Sequence, residues 1–138
     1  MPLTAAALAL ALASCADDDA CLATLPVDCT TSLNPTYDVL YDSVFSRSCG
    51  AGGMANSCHG RDGMRGGLGL FDADAAYAAL LGQPNGRERV LPGDPKCSIL
   101  MQRLESNDPN FRMPLQGDRL PAGVRCAIQT WIENGAPR

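Results

Sequence analysis

Apolar positions recur along the chain in four short stretches, separated by segments rich in glycine and polar residues. After Pro35, the residues Tyr37, Leu40, Tyr41, Val44 and Phe45 fall at i, i+3, i+4, i+7 and i+8, the stripe of one helix face. Asn34 is suited to cap that helix with Pro35 at its first position, and Gly50, Gly52 and Gly53 stop it near Cys49. Gly60 to Gly69 is glycine-rich loop, with a short extended piece expected at Leu68 to Phe71. A second helix, capped by Asp72 or Asp74 and ended by Gly82, buries Ala76, Tyr77, Leu80 and Leu81. A third, around Ser98 to Glu105, presents Ile99, Leu100 and Leu104. The last starts after Pro121, carries Val124, Ile128, Trp131 and Ile132 on one side, and ends at Asn134-Gly135. The pattern predicts a mainly α domain of four short helices joined by long loops, and loops of that length in a small domain usually wrap something.

Ahead of the first helix the pattern changes twice. Met1 to Ser14 is an apolar run too short to span a bilayer, with the length of a secretory signal's apolar region. It ends in Leu12-Ala13-Ser14-Cys15, which resembles the lipobox of bacterial lipoproteins. That resemblance implies cleavage before Cys15, lipidation of its thiol, export, and residence in the periplasm or at the outer membrane. No Lys or Arg precedes the run, a departure from the usual signal. Residues 15–34 hold three consecutive Asp with Pro, Thr and Ser, a composition that reads as a flexible acidic tether. The expected organisation is therefore a signal at 1–14, a tether at 15–34 and one domain at 35–138.

Composition narrows the function classes. A net charge of −4 without a basic run excludes nucleic acid as an expected partner. Aromatic residues make up 5% of the chain, thin for a domain that builds its own core, so a bound cofactor or disulfides are expected to supply the balance. Seven cysteines in 138 residues fit an oxidising compartment. No Gly-x-Ser-x-Gly elbow and no phosphate-binding loop is present, and no enzymatic activity is expected.

The single histidine, His59, directly follows Cys58, with Cys49 upstream. A Cys-His pair after an earlier Cys is how c-type haem is attached: the thiols add to the porphyrin vinyl groups and the imidazole ligates the iron. Eight residues separate the cysteines here, not two. Closing the longer loop costs only about 1 kcal/mol more. Met113, in Phe111-Arg112-Met113-Pro114-Leu115, is the candidate ligand for the far face, 54 positions beyond His59. Met101 fits a core position better, and Met54 and Met64 are weaker candidates in glycine-rich loops.

From Tyr37 to Pro137, about three quarters of the chain, the sequence resembles a family of small bacterial envelope cytochrome c domains. The matching pieces are Val44-Phe45-Ser46, Ser57-Cys58-His59-Gly60, Gly66-Gly67-Leu68-Gly69-Leu70 and Tyr77-Ala78-Ala79-Leu80. They continue with Val90-Leu91-Pro92-Gly93-Asp94-Pro95, Arg112-Met113-Pro114 and Trp131-Ile132-Glu133-Asn134-Gly135-Ala136. The resemblance implies a class I cytochrome c-like fold holding one covalent haem c, with His59 and Met113 as axial ligands and Cys49 and Cys58 as thioether donors. Leu68, Leu70, Leu91, Pro92, Leu100, Leu115 and Trp131 would wall the haem, each with ordinary core as its alternative. Such a protein passes single electrons between redox partners in the envelope, tied to a membrane by its lipid.

The remaining cysteines point to disulfides. Cys97 and Cys126, on the last two helices, are expected to pair, and Cys21 with Cys29; with four cysteines, three connectivities are open. The rival reading is a haem-free interaction or structural module in which Cys49 and Cys58 join in a disulfide. A zinc site at Cys49, Cys58 and His59 would need a fourth ligand that no nearby motif supplies.

Overall fold

The computed structural model describes residues 21–26, 29–50, 58–82 and 88–138. The expected signal segment, Cys15 and Met54 lie outside the described residues. Thr36, extended at φ −101° and ψ 151°, stands at the N-cap in place of Asn34, and helix α1 begins at Tyr37–Leu40. It runs without a break into a π-helical segment, Tyr41–Gly50. Leu40, Val44 and Phe45 enter the core from this helix, and Cys49 packs against it. Windings of this kind are rare and cluster at functional sites.

Helix α2, Ala73–Leu81, starts where the sequence places it, because the Asp72 carboxylate accepts from Ala75 N at 2.9 Å. Helix α3 spans Ile99–Glu105 behind Ser98, and α4 spans Ala122–Glu133. A single 3₁₀ turn, Arg65–Gly67, interrupts the glycine-rich loop. The described part is mainly helical and has no strand; the piece at Leu68 to Phe71 runs without a partner strand. Among the described residues no helix is long and apolar enough to cross a membrane.

The low aromatic content is concentrated rather than spread. Tyr37 stacks with Tyr41 and meets Tyr77 edge-on at 4.9 Å, and its ring lies 5.8 Å from that of Trp131, which also meets Phe45. Around this cluster close Leu40, Leu80, Met101, Ile128 and Ile132, all fully buried. Met101 is thus core, as its spacing predicts. Trp131 is core as well, its indole N–H donating to Pro137 O at 2.8 Å. Arg125 bridges α4 to α3 through the Glu105 carboxylate at 2.8 Å.

The expected disulfide between Cys97 and Cys126 does not form. Cys97 bonds Cys21 and Cys126 bonds Cys29, so the expected Cys21–Cys29 bond is absent too. The reason lies in the segment that precedes α1. Leu22 N donates to Lys96 O at 3.0 Å, which sets Cys21 beside Cys97 just ahead of α3. Ser32 N donates to Gly123 O at 3.1 Å, and a Cβ at Gly123 would lie 2.7 Å from that of Ser32, so only glycine permits the approach to α4. Leu22, Leu25 and Leu33 pack against the core. Within the span assigned to a free tether, residues 21–26 and 29–34 therefore lie on the domain. The two bonds close loops of 76 and 97 residues, each constraining the unfolded chain by about 4–5 kcal/mol in the chain-entropy account.

Candidate functional site

His59 is clamped by its backbone on two sides. Its N–H donates to Cys49 O at 3.3 Å, and its carbonyl accepts from Leu70 N at 2.7 Å. The eight residues between Cys49 and Cys58 therefore do not separate the first cysteine from the histidine: the chain returns to Cys49 at His59. Gly50 makes this closure possible. A Cβ there would lie 2.8 Å from both Leu70 C and Phe45 O, and closer still to Leu70 O, all of them backbone atoms.

Past His59 the loop coils tightly. Arg65 N donates to Cys58 O at 2.8 Å, Met64 N to Gly60 O at 3.1 Å, and Gly66 and Gly67 take φ of 65° and 67°. This turn presents the Leu68 carbonyl to the imidazole, and His59 Nδ1–H donates to it at 3.2 Å. A carbonyl can only accept, so with Leu68 O as its partner Nδ1 carries a proton. Metal-ligating histidines are held in this way, with the second ring nitrogen tied to a carbonyl or carboxylate. Burial pushes the His59 pKa below its ordinary 6.5, with the Arg89 and Arg103 charges pushing the same way and the backbone bonds to Leu68 and Arg65 opposing. The ring is neutral at pH 7, the form that ligates metal.

Cys49 and Cys58 are both free thiols, half-buried on either side of this turn, in a structure whose other described cysteines are all paired. Burial pushes the Cys49 thiol up to about 11. Met113 is anchored elsewhere: its N–H donates to Arg103 O on α3 at 2.9 Å, and its side chain packs against the edge of the core. Arg103 links the two regions, since it holds the Met113 backbone and its charge acts on the His59 ring. Beside Met113, Arg112 has a buried Nε without a hydrogen-bond partner, although its Nη2 reaches Gly117 O at 2.8 Å.

This donor set fits a c-type haem: two free thiols, an imidazole oriented by a backbone carbonyl at Nδ1, a thioether on a separate loop, and a buried guanidinium donor lacking an acceptor. Of the expected wall residues, Leu68 and Leu100 are partly buried at the core's edge and Leu70 is buried within it. Leu91 is half-buried, whereas Pro92 and Leu115 are exposed. Among the described residues no three His, Cys, Asp or Glu side chains are grouped to hold a metal ion directly, and haem iron asks only one axial ligand from each face.

Sequence reasoning did not identify Gly50, Arg89 or the Leu68 carbonyl as parts of the site. Gly50 read only as a helix stop. The other two act through backbone geometry and a long-range contact, which leave no spacing signature.

A family model described as planctomycete cytochrome C matches residues 56–117, the span carrying Cys58, His59 and Met113. The similarity covers less than half of the chain and leaves Cys49 and α4 outside the matched span. No curated protein and no solved structure matches the chain.

Proposed function

We propose that this protein is a c-type haem-binding electron-transfer protein of the bacterial cell envelope. The observation that carries this reading is the His59 turn: a neutral imidazole with Nδ1–H fixed on Leu68 O, beside two unpaired thiols. Cys49 and Cys58 would hold the porphyrin through thioethers, and His59 Nε2 and the Met113 sulfur would be the axial ligands. When bound, the haem supplies a one-electron iron couple. Held by His59 and Met113, the iron would offer no place to a substrate, so electron transfer rather than catalysis is the proposed role. Met113 would raise the potential, since a thioether favours reduced iron. The domain's own part is to orient the imidazole through Leu68 O; Leu68 and Leu100 would help keep water from the haem, and brief contacts at an exposed edge would suffice for envelope redox partners. The acidic balance favours a basic partner surface.

The same reading places the protein on a membrane through a lipid on Cys15. Cys15→Ser should move it from the membrane fraction into the soluble periplasm, and continued retention would count against the anchor. The decisive experiment is a haem stain on a denaturing gel of protein made with a c-type haem maturation system. A peroxidase-active band at the protein's mass is expected. A blank lane, with an intact mass showing Cys49 and Cys58 joined by a disulfide, would overturn the proposal in favour of a haem-free module.

A further inference from the structure

Arg89 ties the His59 turn to α2 through its side chain and to α3 through its backbone. Its Nη1 donates to Ala79 O near the end of α2 at 2.6 Å, and its Nη2 donates to Gly66 O at 2.8 Å. Its own carbonyl accepts from Leu100 N at the start of α3 at 2.9 Å. A Cβ built on Gly67 would already stand 3.6 Å from Nη2, so the guanidinium lies directly against the glycine pair. Those glycines sit in the left-handed region, where the backbone has most freedom to move. Two residues on, the Leu68 carbonyl holds the imidazole.

We infer that Arg89 is the positioning residue for His59: by fixing the Gly66 carbonyl it aims the Leu68 carbonyl at Nδ1 and so keeps Nε2 bare for the metal. The step from Arg89 to the ring runs Nη2, Gly66 O, the 66–68 backbone, Leu68 O, Nδ1. A guanidinium is suited to this, because its rigid fork serves two carbonyls in different directions, which an ammonium on a flexible stem cannot do together. Arg89 does not touch the iron position; it acts through the loop. The inference rests on His59 being the haem ligand, and it adds the residue that prepares the ring for that role.

Because His59 is the chain's only histidine, its ring nitrogens can be read without assignment. The experiment is a long-range ¹H–¹⁵N correlation spectrum of the ¹⁵N-labelled full chain without haem, at pH about 8 where the ring is neutral. Wild type, Arg89→Met and Arg89→Lys are compared, with near-ultraviolet circular dichroism to report the fold. Wild type is expected to show Nδ1 protonated and Nε2 bare as the dominant form. Arg89→Met should lose that dominance and gain the Nε2–H form, with the core signal of Trp131 unchanged. Arg89→Lys, which reaches only one of the two carbonyls, should fall between them. It serves as the test by itself if the Met variant does not fold. In matched preparations with the maturation system, haem per chain should drop in the same order, and losses at such supporting positions cost about 10–100-fold in metal affinity. A full Nδ1–H population in the Lys variant and in any folded Met variant would overturn the inference, as would a wild type that favours Nε2–H. A wild type without stainable haem but with Nδ1–H lost in the variants would instead strike the haem reading and leave the positioning role standing.

Discussion

Gly50→Ala is the sharpest perturbation the structure offers. The added methyl would meet Leu70 C and Phe45 O at 2.8 Å and Leu70 O more closely still. None of these is the end of a side chain that could swing aside. Phe45 and Leu70 are both buried in the core, and Leu70 N holds His59 O, so neither wall can retreat without breaking something. Overpacking of this kind costs about 1–3 kcal/mol, and loss of the Leu70–His59 hydrogen bond adds about 1 kcal/mol. A total of about 2–4 kcal/mol corresponds to a drop in Tm of roughly 10–20 °C for a domain of this size. Gly66→Ala is the matched control. Gly66 has φ of 65° but nothing within 4 Å of its Cβ position, so only the left-handed strain of about 1 kcal/mol remains. Thermal and urea unfolding of both variants against wild type measures the difference. If Gly50→Ala costs no more than Gly66→Ala, the close packing of Gly50 under the Leu70 backbone is wrong, and with it the juxtaposition of Cys49 and His59.

Non-reducing peptide mapping should recover the pairs Cys21–Cys97 and Cys29–Cys126 and no Cys97–Cys126 peptide; replacing Cys29 and Cys126 together by alanine should cost about 2–5 kcal/mol in urea unfolding. Met113→Ala in haem-loaded protein should abolish the far-red sulfur-to-iron absorption band and lower the reduction potential by on the order of 100 mV, within the roughly 0.8 V span that axial ligands command; an unchanged band would remove Met113 as a ligand. Burial holds the Tyr37 phenol well above its ordinary 10.0, partly offset by Arg138. The unfolded chain ionises first, so this contribution is intact below pH about 10 and is lost as the pH rises further. Tyr37→Phe should flatten the alkaline limb of stability against pH, although it also forfeits the bond from Tyr37 Oη to Ala73 O at 2.7 Å; an equally steep limb would refute the assignment.

What the chain determines by itself is whatever is written in short-range spacing. The buried faces of α2 and α4, the Asp72 cap and the core role of Met101 follow from periodicity and capping chemistry over a few residues. The Cys58-His59 pair and Met113 stand out in the sequence for the same reason, because the chemistry proposed for them needs only those side chains in that order. Tertiary structure decided the rest. Which cysteine meets which depends on where residues 21–26 and 29–34 lie against the rest of the domain, through partners 76 and 97 positions away that no local pattern specifies. The change from α to π winding along Tyr41–Gly50 has no signature in the residue spacing, which predicts one regular helix. Gly50 and Arg89 matter only because Leu70, Gly66 and Ala79 are brought to them by the fold. Spacing along one element specifies a face; the meeting of backbone atoms from distant elements is specified only when all of those elements have packed.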